Sequence, residues 1–208
     1  MNETYDVIIL GGGAGGIVTA NVLREKLSDK FKIAVIDKSE HHLFYPSLLW
    51  LMVGKRKDHN VKKSFEPLKR KGINVIKGEV LGINPNNKQI NTNKGTYSYK
   101  FLVISLGADL HPELVPGLSE AGHNLYTLEG ANEIKGKLES FKSGNLVVYV
   151  APPPYKCPAA PYEAMLLLEE YFNKNGLKDK VKLSLYAGEP GPMGVAGVEL
   201  SKAVQDLV

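Results

Sequence analysis

Short, continuous apolar runs alternate with longer amphipathic stretches along this chain of 208 residues. The runs "VIIL" and "IAVI" are apolar at consecutive positions, which is typical of strands buried on both faces of a parallel sheet. They predict strands at 5–10 and 32–37, joined by a helix over 14–27. This alternation favours an α/β fold built on a Rossmann-like unit.

The stretch 72–108 has a different pattern. Its strand-like runs are short and interrupted by Gly, Asn and Pro, which predicts a small antiparallel meander inserted in the first unit. The chain then returns through an apolar strand at 101–106. A polar, proline-bearing connection follows. We therefore expect one domain at 1–110 and a second at 111–208.

The second half repeats the strand–turn–helix–strand plan. The pattern predicts a helix over 130–142, a strand over 145–150, a helix ending near 173, a strand over 180–188 and a helix from about 195 onward. The last helix is followed by no closing strand. We expect an incomplete second Rossmann-like unit, as in the N-terminal portion of a longer protein.

Composition adds few constraints. Apolar residues make up 43% and charged residues 23%, as in soluble globular proteins. No apolar run reaches the ~18 residues of a membrane span. The N-terminus lacks the features of a signal peptide, so we expect a cytoplasmic protein.

The net charge of +4 is modest, and much of the basic excess lies in 54–72. We interpret this cluster as a solvated surface, with attraction to anionic lipid headgroups as the alternative. Nucleic acid is not an expected partner, because no aromatic interleaving or binding module is present. The basic residues of the cluster are Lys55, Arg56, Lys57, Lys62, Lys63, Lys69, Arg70 and Lys71.

The clearest chemical motif is "GGGAGG" after the first strand. Gly11, Gly13 and Gly16 have the G-x-G-x-x-G spacing, and Asp37 follows Gly16 by 21 residues at the end of the next strand. In a dinucleotide site the glycines permit a tight turn, close approach of the pyrophosphate and close helix packing. The helix N-terminus faces the phosphates and the carboxylate holds the ribose hydroxyls. The residues predicted to contact the cofactor here are Gly11, Gly12, Gly13, Ala14, Gly15, Gly16, Asp37 and Lys38.

The segment after the meander indicates which dinucleotide is bound. "YSYKFLVISLGA" resembles the FAD-binding half of the two-dinucleotide-domain, disulfide-reductase-like flavoproteins, in which a hydrophobic strand ends in a short motif beside the flavin. The resemblance implies FAD as the cofactor. It also implies that Ser105 and Gly107 lie near the flavin and that the backbone of Val80 meets the adenine.

A proline-rich turn, "APPPYKCPAAP", stands where the second unit would bind NADH or NADPH. Proline has no N–H, so this turn cannot form the amide cradle that a pyrophosphate needs. The next strand also ends roughly 35 residues past the turn, rather than the ~20 of a nucleotide unit. We therefore expect no nicotinamide site. The prolines are Pro152, Pro153, Pro154, Pro158 and Pro161.

The stretch "PPPYKCPAAPYEAM" resembles the sulfide:quinone oxidoreductases and the flavoprotein subunit of flavocytochrome c sulfide dehydrogenase. "FYPSLLWLMVG" and "VKLSLYAGEPGPMGVAG" are similar to two further segments of that family. The resemblance implies oxidation of sulfide to polysulfide or sulfur, with electrons passed from FAD to a quinone or to a haem protein. It places Pro46 and Ser47 beside the flavin.

Two residues would carry the sulfur chemistry. By resemblance, Cys157 is a redox cysteine that carries sulfur, and Glu163 matches a glutamate that handles protons. A cysteine just ahead of a helix suits this role, because the thiolate is the reactive form and a helix N-terminus favours it. The alternatives are a buried structural cysteine and, for Glu163, a partner of the helix dipole only.

The chain departs from the family in one respect. Many members carry an additional Cys, with a His soon after it, where this chain has Tyr126 and Gly130, and Cys157 is its only cysteine. We expect the partner cysteine, the quinone pocket and the membrane-binding helices in a C-terminal half. The full-length protein would then be peripheral to the membrane.

Two alternative functions and the oligomeric state stay open. The chain could belong to a type-two NADH dehydrogenase-like protein or be a non-catalytic flavin-binding fragment, and a homo-oligomer is compatible with the sequence. His41 and His42 are adjacent in a loop and do not predict a metal site. Trp50 is interpreted as a packing residue rather than a membrane anchor.

Overall fold

The computed structural model describes residues 3–152 and 154–207. The chain divides into two compact units, one formed by Met1–Phe44 with Lys62–Leu110 and the other by Tyr45–Val61 with His111–Val208. The division of the chain into independently folding domains at 1–110 and 111–208 stays a prediction.

The strands include the predicted ones, together with two short strands at 41–43 and 62–64 that were not predicted, so His41 and His42 lie in a strand rather than in a loop. In chain order the strands are β1 (Glu3–Leu10), β2 (Ile33–Asp37), β3 (His41–Leu43), β4 (Lys62–Ser64), β5 (Asn74–Lys77), β6 (Val80–Asn84), β7 (Gln89–Thr92), β8 (Gly95–Ile104), β9 (Gly144–Val150) and β10 (Val181–Ala187). The helices are α1 (Ala14–Lys26), α2 (Leu48–Met52), α3 (Asp58–Val61), α4 (Glu66–Lys69), α5 (Leu118–Ala121), α6 (Leu128–Ser140), α7 (Ala160–Lys174) and α8 (Val198–Gln205).

The first unit is a six-stranded sheet in the order β5-β2-β1-β8-β7-β6. The strands β5, β2, β1 and β8 run parallel, whereas β7 and β6 continue as the predicted antiparallel meander. Both faces of β1 are buried: Val7 and Ile9 lie in one apolar cluster, and Ile8 and Leu10 in the other. Continuous apolar runs therefore do mark strands covered on two sides.

One strand differs from its prediction. The strand expected at 101–106 begins earlier, at Gly95, and ends at Ile104. Its first half pairs with both β1 and β7. The residues "GTYSYK" therefore form part of the strand through these pairings, although they lack an apolar pattern. Phe101 and Ile104 are 70% and 63% exposed. Since side chains alternate along a strand, these two residues lie on opposite faces, so the carboxyl-terminal half of β8 is incompletely covered on both.

The second unit is built on two parallel strands, β9 and β10, with Val148 opposite Leu185. The connecting helix α7 buries an apolar face that includes Leu168 and Phe172. Helix α2 packs against α6 and α7 in the same unit. The opposite face of the strand pair leaves Val147, Tyr149 and Tyr186 exposed. In the described part of the chain, no helix is long and apolar enough to cross a membrane.

Candidate functional site

The glycine turn between β1 and α1 forms the floor of the first candidate site. Gly11 has φ +96°, and a Cβ there would lie 2.2 Å from the Ser105 carbonyl oxygen. A Cβ on Gly16 would lie 1.8 Å from the Gly11 carbonyl oxygen. These two glycines are therefore required by packing alone, before any ligand is considered.

Gly13 is different, because it faces open space. Around a Cβ built on Gly13, no heavy atom of the described chain beyond its immediate neighbours lies within 4 Å. Gly13 is also the N-cap of α1, where helix N–H groups lack intrahelical partners. A pyrophosphate fits this combination of free space and N–H donors.

The side chain of Asp37 is hydrogen-bonded to the same glycine turn. Its Oδ2 accepts a hydrogen bond from the Gly12 backbone N–H at 2.6 Å, and its Oδ1 accepts one from the Ser39 N–H at 2.6 Å. The predicted ribose carboxylate is thus held at the glycine turn by backbone donors. A carboxylate oxygen can accept more than one hydrogen bond, so the group keeps capacity for ribose hydroxyls.

The other residues predicted to contact the cofactor fall into two groups. In the first unit, Ser105 has its Oγ 2.6 Å from where a Cβ on Gly15 would lie, and Gly107 follows β8 with φ +79°. Val80 begins β6 and packs against the buried cluster around Tyr5, and Lys38 is exposed. In the second unit, Pro46 and Ser47 form a 3-10 turn before α2.

His42 was missed as a neighbour of the glycine turn. Its Nδ1 lies 3.1 Å from the Gly12 carbonyl oxygen, so in this pairing the ring nitrogen donates. The residue belongs to β3, which is paired with β4. Sequence spacing gave no signal for this contact, because the short strand that aims the side chain has no apolar pattern.

Cys157 lies in the turn that joins β9 to α7. Its side chain is exposed, and its backbone has φ +51°, in the left-handed region that side chains other than glycine rarely adopt. The Ala160 N–H, at the start of α7, donates to the Cys157 carbonyl oxygen at 3.2 Å. The exposed thiol argues against the alternative of a buried structural cysteine. Of the turn's prolines, Pro153 lies outside the described residues.

The left-handed backbone at Cys157 predicts a measurable strain. A left-handed residue with a Cβ costs roughly 1–2 kcal/mol, which glycine avoids, although glycine loses part of this gain to its greater unfolded-state entropy. We expect the Cys157→Gly chain to be about 0.5–1 kcal/mol more stable than the Cys157→Ala chain in urea unfolding. Equal stabilities, or a more stable alanine variant, would show that the position is unstrained.

Glu163 is engaged by a residue distant in sequence. It lies in the first turn of α7, and its Oε1 accepts a hydrogen bond from Trp50 Nε1 at 3.0 Å. Lys55 pairs with Glu170 on the same helix, and its Nζ lies 5.1 Å from the centre of the Trp50 ring. Trp50 is thus a partner of Glu163, and the proton-handling role of this carboxylate stays a prediction.

A second carboxylate near the cysteine turn is occupied by two tyrosines. Glu189, just after β10, accepts a hydrogen bond from the Tyr155 hydroxyl at 2.9 Å and another from the Tyr162 hydroxyl at 2.5 Å. Burial, and then the hydrogen bond to Glu189, raises the pKa of both phenols, so both remain donors. Sequence reasoning named none of these three residues as part of the site.

The described residues contain no group of three or more His, Cys, Asp or Glu side chains arranged to hold a metal ion. The two candidate sites are the glycine turn of the first unit and the cysteine turn of the second.

A family model described as pyridine nucleotide-disulphide oxidoreductase matches residues 5–149. The chain belongs to this family. A second model, the central part of the flavoprotein chain of flavocytochrome c sulfide dehydrogenase, matches residues 131–186 and so includes Cys157. The predicted α/β fold class and the predicted resemblance to sulfide-oxidising flavoproteins are confirmed. Membership of this oxidoreductase family implies a flavin cofactor.

Curated relatives carry related names. The mitochondrial sulfide:quinone oxidoreductase of Mus musculus is 32% identical over 189 residues, which cover 86% of this chain and 41% of that protein. The sulfide-quinone reductase of Aquifex aeolicus is 34% identical over 210 residues, which cover 97% and 48%. The alternative NAD(P)H-ubiquinone oxidoreductase C1 of Arabidopsis thaliana is 29% identical over 206 residues, which cover 88% and 39%.

A solved structure agrees with the sequence relatives. The sulfide:quinone oxidoreductase of Aquifex aeolicus superposes with a TM-score of 0.87 at 28% identity, and the match covers 99% of this chain and 48% of that one. This chain of the pyridine nucleotide-disulphide oxidoreductase family therefore spans less than half the length of the relatives it matches.

Proposed function

We propose that this chain is the flavin- and sulfur-handling part of a sulfide:quinone oxidoreductase. It would act in the FAD-dependent oxidation of sulfide to polysulfide or sulfur, with a quinone as the electron acceptor. The observation that carries the proposal is the exposed, left-handed Cys157 in a strand-to-helix turn built of prolines. This turn lies in the stretch matched by the sulfide dehydrogenase model.

FAD would be bound by the first unit, whose glycine turn supports a dinucleotide site. Gly13 leaves the space for a pyrophosphate at the N-terminus of α1, and Asp37 stands beside the glycine turn to receive ribose hydroxyls. When bound, the flavin would supply a two-electron acceptor for sulfide sulfur and a donor for the quinone.

The role of Cys157 can be written with balanced atoms. Its thiolate and a hydrosulfide ion would join in a sulfur–sulfur bond, which leaves a persulfide on Cys157 and releases one proton and two electrons. Cys157 lies in the turn that leads into α7. Glu163, in the first turn of the same helix, would accept the proton.

A second candidate is an NAD(P)H-dependent quinone reductase, which the Arabidopsis relative favours. Two features of the second unit count against it. Prolines have no backbone N–H, so the turn around Cys157 lacks the donors that would cradle a pyrophosphate. The carboxylate after β10, Glu189, already accepts hydrogen bonds from the hydroxyls of Tyr155 and Tyr162, so a ribose would have to share it with two phenols.

The proposal also implies a location. Quinones with long tails reside in the bilayer, so the protein would work at a membrane surface as a peripheral protein. A haem protein is the alternative acceptor, as in the flavocytochrome c type.

The acceptor can be tested with the flavin-loaded protein. Sulfide is supplied anaerobically with either a short-chain quinone or oxidised cytochrome c, and acceptor reduction is followed by absorbance. We expect quinone reduction that depends on sulfide. Sulfide-dependent reduction of cytochrome c without quinone reduction would assign the flavocytochrome type, and reduction of quinone only with NADH would reject the proposal.

A further inference from the structure

Cys157 is bracketed by hydrogen bonds to the carbonyl groups of its two flanking peptides. On the carboxyl side, the Ala160 N–H donates to the Cys157 carbonyl oxygen at 3.2 Å. On the amino side, the Tyr126 hydroxyl donates to the Lys156 carbonyl oxygen and lies 3.4 Å from the Cys157 carbonyl oxygen. The side chain of Tyr126 therefore reaches the peptide groups on both sides of Cys157 from outside the turn.

The Lys156 carbonyl has a direct geometric link to the thiol. It belongs to the peptide group that precedes Cys157, and the angle φ of Cys157 describes rotation of its Cα relative to that group. A hydrogen bond that orients this carbonyl therefore restrains φ, which is +51° here, provided that the Cys157 carbonyl is held as well. The same angle decides the direction in which the side chain leaves the backbone.

Tyr126 is itself well anchored. Its backbone N–H donates to Asn124 Oδ1 at 2.9 Å, and the next residue, Thr127, caps α6 by accepting from the Gly130 N–H at 3.0 Å. A Cβ on Gly130 would lie 2.0 Å from the Asn124 carbonyl oxygen, so this loop is tightly packed against the helix. Tyr126 is thus held by the capped, closely packed N-terminus of α6.

The phenol also keeps its proton. Burial, followed by the nearby Cys157 and Tyr155, raises the pKa of Tyr126 to about 12. Near neutral pH the hydroxyl is therefore always a donor.

We propose that Tyr126 is a positioning residue that holds Cys157 in its left-handed conformation through the Lys156 carbonyl, and so aims the thiol for reaction. The claim that Tyr126 holds the conformation of Cys157 depends only on the observed hydrogen bonds. The catalytic part rests on the proposed function in sulfide oxidation.

The first test measures the conformation without any activity. Amide hydrogen exchange is followed at Ala160, whose N–H is bonded to the Cys157 carbonyl, in the wild-type chain and in Tyr126→Phe. Loss of one hydrogen bond of ordinary strength predicts roughly 5- to 10-fold faster exchange. Tyr149→Phe is the matched control, because it removes the same hydroxyl from an exposed tyrosine of β9, and it should exchange as the wild type does. Unchanged exchange in Tyr126→Phe would overturn the proposal.

The second test measures catalysis in the flavin-loaded protein. In Tyr126→Phe the limiting rate of flavin reduction by sulfide should fall roughly tenfold, with the half-saturating sulfide concentration changed less than about twofold. The ratio of wild-type to variant rates should be constant from pH 6 to 9. A full limiting rate, or a ratio that changes with pH, would overturn the positioning role. If the wild type itself fails to react with sulfide, the proposed function fails while the exchange result still decides the conformational claim.

Discussion

Cys157→Ser should lose sulfide-dependent reduction of the flavin by about 10³-fold or more while it retains bound flavin. Oxygen in place of sulfur cannot form the sulfur–sulfur bond that the proposed step requires, and removal of an attacking nucleophile typically costs effects of this size or larger. Flavin binding should survive, because the thiol is exposed and makes no core contact that serine would break. The measurement is anaerobic stopped-flow absorbance of the flavin after mixing with sulfide.

A second variant separates sulfur chemistry from polarity. Cys157→Ala removes the heteroatom altogether, and we expect it to be as slow as Cys157→Ser. A serine variant that reacts within about tenfold of wild type would show that Cys157 carries no sulfur. A variant that has lost its flavin would point instead to a packing role for this turn.

Gly16→Ala should prevent flavin binding by disrupting the fold of the glycine turn itself. Its Cβ would lie 1.8 Å from the Gly11 carbonyl oxygen, a backbone atom that cannot move away without shifting the end of β1. Forced overlap of this kind costs about 3 kcal/mol. Urea unfolding of the flavin-free chain should therefore show a clear loss of stability.

Gly13→Ala is the informative counterpart, because it stands in the same loop yet faces open space. We expect its flavin-free stability to equal that of wild type within about 0.5 kcal/mol, with flavin affinity reduced at least roughly tenfold. Equilibrium dialysis with FAD measures the second quantity. A Gly13→Ala chain that binds FAD as well as wild type would mean that the pyrophosphate does not approach this turn.

Local sequence patterns were enough to predict both turns of the candidate site. The glycine spacing, the apolar strands on either side and the distance to Asp37 are short-range features, and so are the prolines around Cys157. The parallel pairing of the apolar strands in the first sheet was also predicted, because doubly buried strands have an unbroken apolar pattern. The early start of β8 was missed, since its polar first half is held by neighbouring strands rather than by its own composition.

The partners of these turns could not be predicted in the same way. Trp50 and Glu163 are 113 residues apart, and Glu189 is 34 residues from Tyr155. Tyr126 reaches Lys156 across 30 residues. Each of these contacts depends on how α2, α6, α7 and β10 pack within the second unit, and no local period encodes that packing. The sequence shows the individual residues but not which of them contact each other.

We infer that the second unit is adapted to sulfur rather than to nicotinamide. To test this, flavin-loaded protein is mixed anaerobically with sulfide in one experiment and with NADH in another, and loss of flavin absorbance is followed in each. We expect rapid bleaching by sulfide and none by NADH on the same timescale. Bleaching by NADH without bleaching by sulfide would contradict it.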